Sequence, residues 1–189
     1  EVDRDLTWDG SWAMGAVFSR DGSKVATRSQ TDAIHIFNAA TGNFIRTLPN
    51  GGWGGGMAFA PTGPLFAAAS TEFSAELYNH ETGQRLHRFA ENAGLVTCVA
   101  FSPNGDTLLL GWVDGILHLY DAATLELKRE FVVRAAFLES AAFSPDGRFI
   151  LTGEGWPFMT ATLWDAKTAE PLRVFEGHKW SVNAVGFSA

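Results

Sequence analysis

The sequence predicts an all-β fold built from one unit that is repeated along the chain. The first observation is a short phrase, VFSRDG at Val17, which returns with small changes as AFAPTG at Ala58, AFSPNG at Ala100 and AFSPDG at Ala142. A shortened copy, GFSA, follows near the end of the sequence. The phenylalanines of these phrases are 41 to 44 residues apart and stand at Phe18, Phe59, Phe101, Phe143 and Phe187.

A second phrase keeps the same period. It reads IHIFN, AELYN, LHLYD and ATLWD, and its aromatic residues are Phe37, Tyr78, Tyr120 and Trp164. Two independent phrases that share one period of roughly 42 residues indicate an internal repeat.

Each unit has the pattern of short β-strands. Apolar residues alternate from Ile116 to Tyr120, as they do in a strand that buries one face. The Ser-Pro-Asp/Asn-Gly phrases are turn sequences, because proline presets φ, Asp or Asn bonds the local backbone, and glycine accepts a positive φ. A second turn, such as NAATG at Asn38, follows each aromatic residue. Four short strands therefore fit into each unit.

Period, strand number and turns together resemble those of the WD40-repeat β-propeller family, in which each repeat forms one four-stranded blade. Trp164-Asp165 and Gly177-His178 match the two dipeptides that name the motif. The resemblance covers essentially the whole chain. It implies an all-β, WD40-type β-propeller segment with four four-stranded antiparallel blades plus the first strand of a fifth.

The resemblance also implies the limits of the blades. Residues 1–8 are expected to end a preceding blade, and residues 177–189 to provide the first strand of the next one. The four complete blades are expected at residues 9–48, 49–90, 91–133 and 134–176, all within one propeller domain.

The repeats depart from the family pattern at two positions. The Trp-Asp slot reads Phe37-Asn38, Tyr78-Asn79 and Tyr120-Asp121 in the first three units, and the histidine slot holds Asp9, Asn50, Asn92 and Arg134. The family often braces a blade with a hydrogen-bond network of His, Ser/Thr, Asp and Trp. Asp114 best matches the Asp of that network, and Asp32 is one residue out of register. These departures predict plainer, apolar-packed blades.

The glycine-rich stretch PNGGWGGGMAFAPTG, residues 49–63, first suggests a phosphate-binding loop. The spacing excludes this interpretation, because Gly56 is followed by Met57-Ala58 and not by Lys-Ser/Thr. Met57 also stands where a G-x-G-x-x-G motif needs its third glycine. Aligned on the phenylalanines, the stretch forms the loop between two blades and the inner strand that follows, where glycines suit a crowded position near the propeller axis.

Four blades and one strand do not close a ring in the family's usual way, in which a strand from the opposite terminus completes the last blade. A propeller must close, since open sides would expose apolar blade faces. Three explanations remain: further blades in a longer polypeptide, completion of the ring by a second copy or a partner chain, and an unusual self-closed small propeller.

The tryptophans predict a candidate binding face. In the family, one face carries the loops between blades and the loops after each second strand. Trp8, Trp12, Trp53 and Trp180 fall in or beside inter-blade loops, Trp112 and Trp156 end second strands, and Phe137 and Phe158 map to the same face. Because aromatic residues are enriched at interfaces, a protein or peptide partner is predicted to bind there. The residues expected to contact it are Trp12, Trp53, Trp112, Phe137, Trp156, Phe158 and Trp180. The alternative is that Trp12, Trp53 and Phe137, which share one repeat position, pack between blades.

A second hypothesis is a carboxylate-based metal or catalytic site at the channel mouth. Asp9, Asp32, Asp114 and Glu154 could converge there, and Asp114, Glu139 and Glu154 flank the aromatic face.

No histidine spacing matches a metal motif, and no serine-hydrolase or kinase motif occurs. Cys98 lies in the apolar run LVTCVAF and is interpreted as a small buried residue, and His35 and His118 as strand residues. The favoured expectation is a non-catalytic scaffold or sensor module without cofactor or metal, with any enzymatic activity residing elsewhere in a longer protein.

Composition narrows the choice of partners. The net charge is −7 at pH 7 and no Lys/Arg cluster offsets it, so nucleic-acid binding is not expected. No apolar run approaches the roughly 20 residues that span a bilayer, and no signal peptide is visible, so no membrane partner is expected. One cysteine and the lack of an N-x-S/T sequon fit a reducing compartment, and a cytoplasmic location is expected.

Overall fold

The computed structural model describes residues 13–29, 33–49, 55–70, 72–90, 94–133 and 137–188. These ranges contain sixteen β-strands and no helix that could span a membrane. Blade 1 comprises β1 (Ala13–Phe18), β2 (Lys24–Ser29), β3 (Ala33–Asn38) and β4 (Phe44–Pro49). Blade 2 comprises β5 (Met57–Phe59), β6 (Leu65–Ser70), β7 (Ser74–Asn79) and β8 (Arg85–Phe89). Blade 3 comprises β9 (Val96–Phe101), β10 (Thr107–Trp112), β11 (Ile116–Asp121) and β12 (Leu127–Val132). Blade 4 comprises β13 (Leu138–Phe143), β14 (Phe149–Glu154), β15 (Ala161–Asp165) and β16 (Pro171–Phe175).

The strands pair in chain order, and every pair is antiparallel, so each blade is a four-stranded meander. This confirms the predicted fold class. The first strands β1, β5, β9 and β13 lie next to one another in that order, as the inner strands of a propeller do. The blade limits stay a prediction, because residues 50–54, 91–93 and 134–136, which link consecutive blades, lie outside the described residues.

The turn after the inner strand of blade 4 has the chemistry that its sequence predicts. In blade 4 the Ser144 hydroxyl donates to the Asp146 carboxylate at 2.6 Å, and Asp146 accepts the Arg148 N–H at 3.1 Å. Gly147 has a φ of 72°, which suits glycine. The Ser144 hydroxyl and then the Arg148 N–H stabilise the carboxylate and hold the pKa of Asp146 below its usual range.

The turn after each third strand depends on the residue that follows the aromatic. Asp165 accepts the backbone N–H groups of Lys167 and Thr168 at 2.8 and 2.9 Å. Asn79 accepts two backbone N–H groups at 2.9 and 3.0 Å in the same way. Because an Asn amide oxygen and an Asp carboxylate cap this turn equally well, the Trp-Asp slot tolerates both residues.

Apolar side chains from facing sheets form three buried clusters, one between each pair of neighbouring blades. Ile36 of blade 1 packs with Phe66 and Tyr78 of blade 2. The cluster between blades 2 and 3 contains Leu77, Phe89, Leu108, Trp112 and Tyr120. The cluster between blades 3 and 4 contains Leu109, Leu117, Phe131, Ile150 and Trp164. The hydrophobic core is therefore a series of inter-blade layers.

The described sheets form an open series. Phe59, Phe101 and Phe143 each pack, partly buried, into the cluster toward the preceding blade. Their counterpart in blade 1, Phe18, is exposed. Blade 1 and blade 4 share no sheet. The arrangement fits a partial propeller.

Gly55 and Gly56 lie directly against the inner strand of blade 3. The Gly55 N–H donates to the Val96 carbonyl at 3.2 Å, and the Gly56 N–H donates to the Thr97 carbonyl at 3.0 Å. A Cβ atom on Gly55 would lie 2.0 Å from the Thr97 carbonyl oxygen, and one on Gly56 would lie 2.6 Å from the Val99 nitrogen. The expected crowding is confirmed for these two glycines. The preceding residues of the stretch, 50–54, lie outside the described ranges.

Residues 177–188 form no regular strand, although the sequence predicted that a fifth blade would begin here. A first strand needs a second strand of its own blade as a partner, and the described chain provides none. The segment instead lies against blade 4, where the Val182 N–H donates to the Glu154 carbonyl at 3.2 Å. A Cβ atom on Gly153 would lie 2.4 Å from the Val182 carbonyl oxygen. Gly177 and His178 are exposed.

Replacement of Gly55 by Ala should destabilise the fold, because the new methyl group would overlap the Thr97 carbonyl oxygen of the neighbouring blade. Overpacking of this kind costs about 1–3 kcal/mol. Urea denaturation of the purified chain would measure the change. Gly186→Ala is the matched control, since a Cβ atom there meets no other atom within 4 Å. Equal stability of the two variants would show that the blades do not approach this closely.

The stability of the fold should decrease as the pH falls below about 6.5, the ordinary pKa of histidine, and His80 should contribute to the decrease. Burial, and then the nearby Lys24 charge, lower the pKa of His80, whose ring packs edge-on against Phe59 at 5.2 Å. The unfolded chain binds a proton near pH 6.5 while the folded chain resists it until a lower pH, so protonation favours unfolding across that window. Urea denaturation at pH 7.5 and 5.5 should show a smaller loss for His80→Gln than for the unchanged protein. His178→Gln, at an exposed position, should leave the loss unaltered; a loss identical in all three proteins would contradict the assignment to His80.

Candidate functional site

The hairpin tip between β14 and β15 presents two large aromatic side chains to solvent. The Glu154 N–H donates to the Thr160 carbonyl at 2.9 Å, and the Met159 N–H donates to the Gly155 carbonyl at 3.0 Å. These bonds close residues 155–160 into a compact loop. Within it, Trp156 is 66% exposed and Phe158 is 50% exposed.

Two further chain segments meet this loop at Gly155. The Gly155 N–H donates to the Phe137 carbonyl at 2.7 Å. A Cβ atom on Gly155 would lie 2.9 Å from a Glu139 carboxylate oxygen and 3.1 Å from the Ser181 hydroxyl. Phe137 and Trp180, the residue beside Ser181, are 43% and 83% exposed. We call Phe137, Trp156, Phe158 and Trp180 the aromatic tip surface.

Trp112 does not belong to this exposed surface, contrary to the position that the sequence predicted for it. It ends β10 opposite Val96, and its side chain is 0% exposed. The indole packs into the cluster between blades 2 and 3 and meets the His118 ring edge-on at 4.9 Å. A side chain so placed stabilises the blade stack and is not accessible to a partner. Trp8, Trp12 and Trp53 lie outside the described residues.

The sequence analysis missed one exposed aromatic residue of the same kind. Phe73 stands in the hairpin tip between β6 and β7, has a φ of 54°, and is 52% exposed. The available signal in the sequence was an aromatic residue, Phe73, between the two strand-like runs LFAAAS and SAELYN.

The carboxylates of the alternative hypothesis are not assembled into a site within the described ranges. Asp114 is exposed in the tip between β10 and β11, where it accepts the Ile116 N–H at 3.2 Å. Glu154 is buried and contacts the hydroxyls of Thr152 and Thr160. The described residues include no group of three or more His, Cys, Asp or Glu side chains that could hold a metal ion. Asp9 and Asp32 lie outside these ranges.

Cys98 lies in β9 opposite Gly111 of β10 and is buried, as the sequence predicted. Burial raises the pKa of its thiol to about 12, so the thiolate that a nucleophile requires is not formed at neutral pH. A Cβ atom on Gly111 of β10 would lie 2.4 Å from the Cys98 sulfur, which shows how closely the two strands pack around it.

A comparison with known families agrees with this architecture. The model of a family described as the anaphase-promoting complex subunit 4 WD40 domain matches residues 57–140. Together with the four four-stranded antiparallel sheets, this match indicates a WD40-repeat β-propeller family. The match covers blades 2 and 3 and the first residues of β13, which is less than half of the chain. No curated protein matches the chain. WD40 domains generally serve as scaffolds for protein interactions and are typically non-catalytic.

The blades of this chain are not plainly apolar, so that expectation was wrong. In blade 3, His118 contacts the Tyr120 hydroxyl at 3.0 Å and the Glu130 carboxylate at 2.9 Å. In blade 2, Glu76 contacts the Tyr78 hydroxyl and accepts from Arg85 at 2.9 Å. Tyrosine brings a hydroxyl into the slot where the family has tryptophan, and a different polar network forms around it.

Blade 4 keeps part of the family's network. The Trp164 indole N–H donates to the Thr152 hydroxyl at 2.9 Å, and that hydroxyl donates to the Glu154 carboxylate at 2.9 Å. Asp114 takes no part in a network of this kind among the described contacts. In blade 4 the chain of hydrogen bonds ends at Glu154, a residue that the sequence analysis did not assign to such a network.

Replacement of Thr152 by Val should destabilise blade 4 by about 1–3 kcal/mol, because it leaves the buried Trp164 N–H without its acceptor. Thr152→Ser keeps the hydroxyl and should retain most of the stability. Urea denaturation followed by tryptophan fluorescence would measure both variants. A Thr152→Val protein as stable as the Thr152→Ser protein would show that the bond contributes nothing.

Proposed function

We propose that this WD40 protein is a non-catalytic module that binds a protein or peptide partner through the aromatic tip surface. The observation that carries the proposal is the exposure of four large aromatic side chains at one end of blade 4, between 43% and 83%. Burying an aromatic side chain against a partner removes a large apolar area from water at a low entropic cost.

Local rigidity supports the same proposal. The tip loop is fixed by two internal hydrogen bonds, by the Gly155 bond to Phe137, which directly precedes β13, and by the Val182 bond to Glu154. An aromatic surface held on a rigid support loses little conformational freedom when it binds, which favours affinity. The Glu139 carboxylate beside Gly155 adds a polar group at the margin of the surface.

Packing between blades remains the competing explanation for one repeat position. Trp12 and Trp53 share that position with Phe137, and Phe137 is exposed in the structure. This exposure favours a role in contact with a partner for Phe137, and by extension Trp12 and Trp53 stay candidates. No observation among the described residues favours the carboxylate-based metal or catalytic alternative, so we do not propose it.

Selection of a phage-displayed random peptide library on the immobilised protein would test the proposal. Peptides enriched on the unchanged protein should bind the double variant Trp156→Ala, Phe158→Ala roughly 30-fold more weakly, which corresponds to about 2 kcal/mol for a central contact residue. Fluorescence anisotropy with the synthesised peptides would measure the affinities.

The matched control is the double variant Leu86→Ala, Leu127→Ala, which removes two exposed apolar side chains from the outer strands β8 and β12. It should bind the selected peptides with unchanged affinity. Equal weakening in both double variants, or unchanged binding in the aromatic one, would disprove the assignment of the binding surface.

A further inference from the structure

A cleft of about 640 Å³ opens between the outer parts of blades 3 and 4. One wall is formed by the end of β12, and the other by β16 with the turn before it. Between them lie residues of β14, β15 and the tip loop: Glu154, Phe158, Thr160, Thr162 and Trp164. Both bordering blades are complete in the described chain, so the addition of further blades beyond blade 4 would not fill this cleft.

The cleft is open because one repeated position carries a small residue in blade 4. In blades 1 to 3, a large, buried polar side chain stands two residues before the aromatic residue of the third strand. These side chains are His35, Glu76 and His118. His35 contacts Thr47 of its outer strand at 3.1 Å, and His118 contacts Glu130 of its outer strand at 2.9 Å. Blade 4 has Thr162 here, paired with Val174. These two short side chains leave vacant the space that a polar pair occupies in the other blades.

A buried carboxylate lines the cleft. Glu154 is only 3% exposed, and its two oxygens contact the hydroxyls of Thr152 and Thr160. Among the described residues, no Lys, Arg or His side chain forms an ion pair with it. Hydroxyl groups stabilise a buried carboxylate only in part, so the approach of a cation would be favourable.

The walls supply the apolar surface that a long basic side chain needs. Val132, Leu172 and Val174 line the cleft and are exposed. Glu130 and Glu176 also line it, against one cation, Arg173. An aliphatic stem that packs on apolar walls and ends in a charge is the form of a lysine or arginine side chain. The chemistry of the walls and that of Glu154 are therefore complementary to the same ligand.

We propose that this cleft binds a lysine or arginine side chain of a partner peptide, with the cationic group at Glu154 and apolar neighbours of that residue on Val132 and Val174. The site goes beyond the aromatic tip surface, with which it shares only Phe158. An ion pair in such partly desolvated surroundings is stronger than one on an open surface. Because the cation would contact Glu154 directly, removal of the Glu154 charge should weaken binding more than removal of any charge at the rim of the cleft.

Fluorescence anisotropy with three labelled peptides tests this proposal. The peptides share leucine neighbours and carry a central lysine, arginine or norleucine, the last of which keeps the aliphatic stem without the charge. The lysine or arginine peptide should bind the unchanged protein at least roughly tenfold more tightly than the norleucine peptide. The ranking of lysine against arginine decides which of the two cations the cleft prefers. Equal binding of all three peptides would overturn the proposal.

Two variants and one control variant locate the peptide. Glu154→Gln keeps the shape of the side chain and should abolish the advantage of the cationic peptides, whereas Glu126→Gln removes the same charge from an exposed position outside the cleft lining and should not. Thr162→His restores the residue found in blades 1 and 3 and should block all three peptides by filling the space. If Glu154→Gln fails to fold, Thr162→His and the norleucine comparison still decide the outcome.

Failure of this proposal is distinguishable from failure of the proposed function. Trp156 does not line the cleft, so Trp156→Ala should leave binding of the lysine peptide unchanged. If Trp156→Ala weakens that peptide and neither Glu154→Gln nor Thr162→His does, the peptide binds the aromatic tip surface, and the cleft is not its site.

Discussion

The fold depends on the burial of each sheet face against the next blade. A four-stranded meander has two faces, and a single sheet cannot bury the apolar side chains on them. Ile34 and Ile36 of β3 and the apolar run of β10 therefore need a neighbouring sheet to pack against. Stacking creates the three clusters, in which Phe131 meets Trp164 edge-on at 5.9 Å. Everything else follows from this requirement: glycines where backbones approach closely, aromatic residues at the inter-blade position, and polar residues only where a partner is within reach.

The same requirement explains why polar networks persist without the family's full set of residues. The third strand carries an aromatic residue that faces the preceding blade, and the residue two positions earlier faces the same way because side chains alternate along a strand. A polar residue there is buried and must find a hydrogen-bond partner. His118 contacts Glu130 of its outer strand and the neighbouring Tyr120 hydroxyl. Thr162 has a short side chain with one hydroxyl and needs fewer hydrogen-bond partners.

Sequence spacing predicted the blades but only part of the candidate site. The sequence predicted comparable positions for Trp112 and Trp156, each at the end of a second strand. Trp112 is the last residue of β10, where a register shift between Gly111 and Trp112 accompanies a side chain buried in the core. Trp156 lies two residues beyond β14, in the loop, and is exposed. A difference of two residues decides between core and surface, and strand ends cannot be placed that finely from periodicity. The cleft could not be predicted, because it depends on a space between side chains of two blades.

Two unusual features of blade 4, the exposed aromatic tip and the contact of Thr160 with Glu154, have one origin in the chain. The interval from the repeated phenylalanine to the aromatic of the third strand is 19 residues in blade 3, from Phe101 to Tyr120, and 21 in blade 4, from Phe143 to Trp164. The hairpin tip spans three residues, 113–115, in blade 3 and six residues, 155–160, in blade 4. Two of the three extra tip residues come from the longer interval, and the third comes from β15, which is one residue shorter at its start than β11. The longer loop both displays Trp156 and Phe158 and carries Thr160 to the Glu154 carboxylate. A short insertion at a hairpin tip thus changes the surface without disturbing the ladder beneath it, which is why repeat proteins acquire binding sites in such loops.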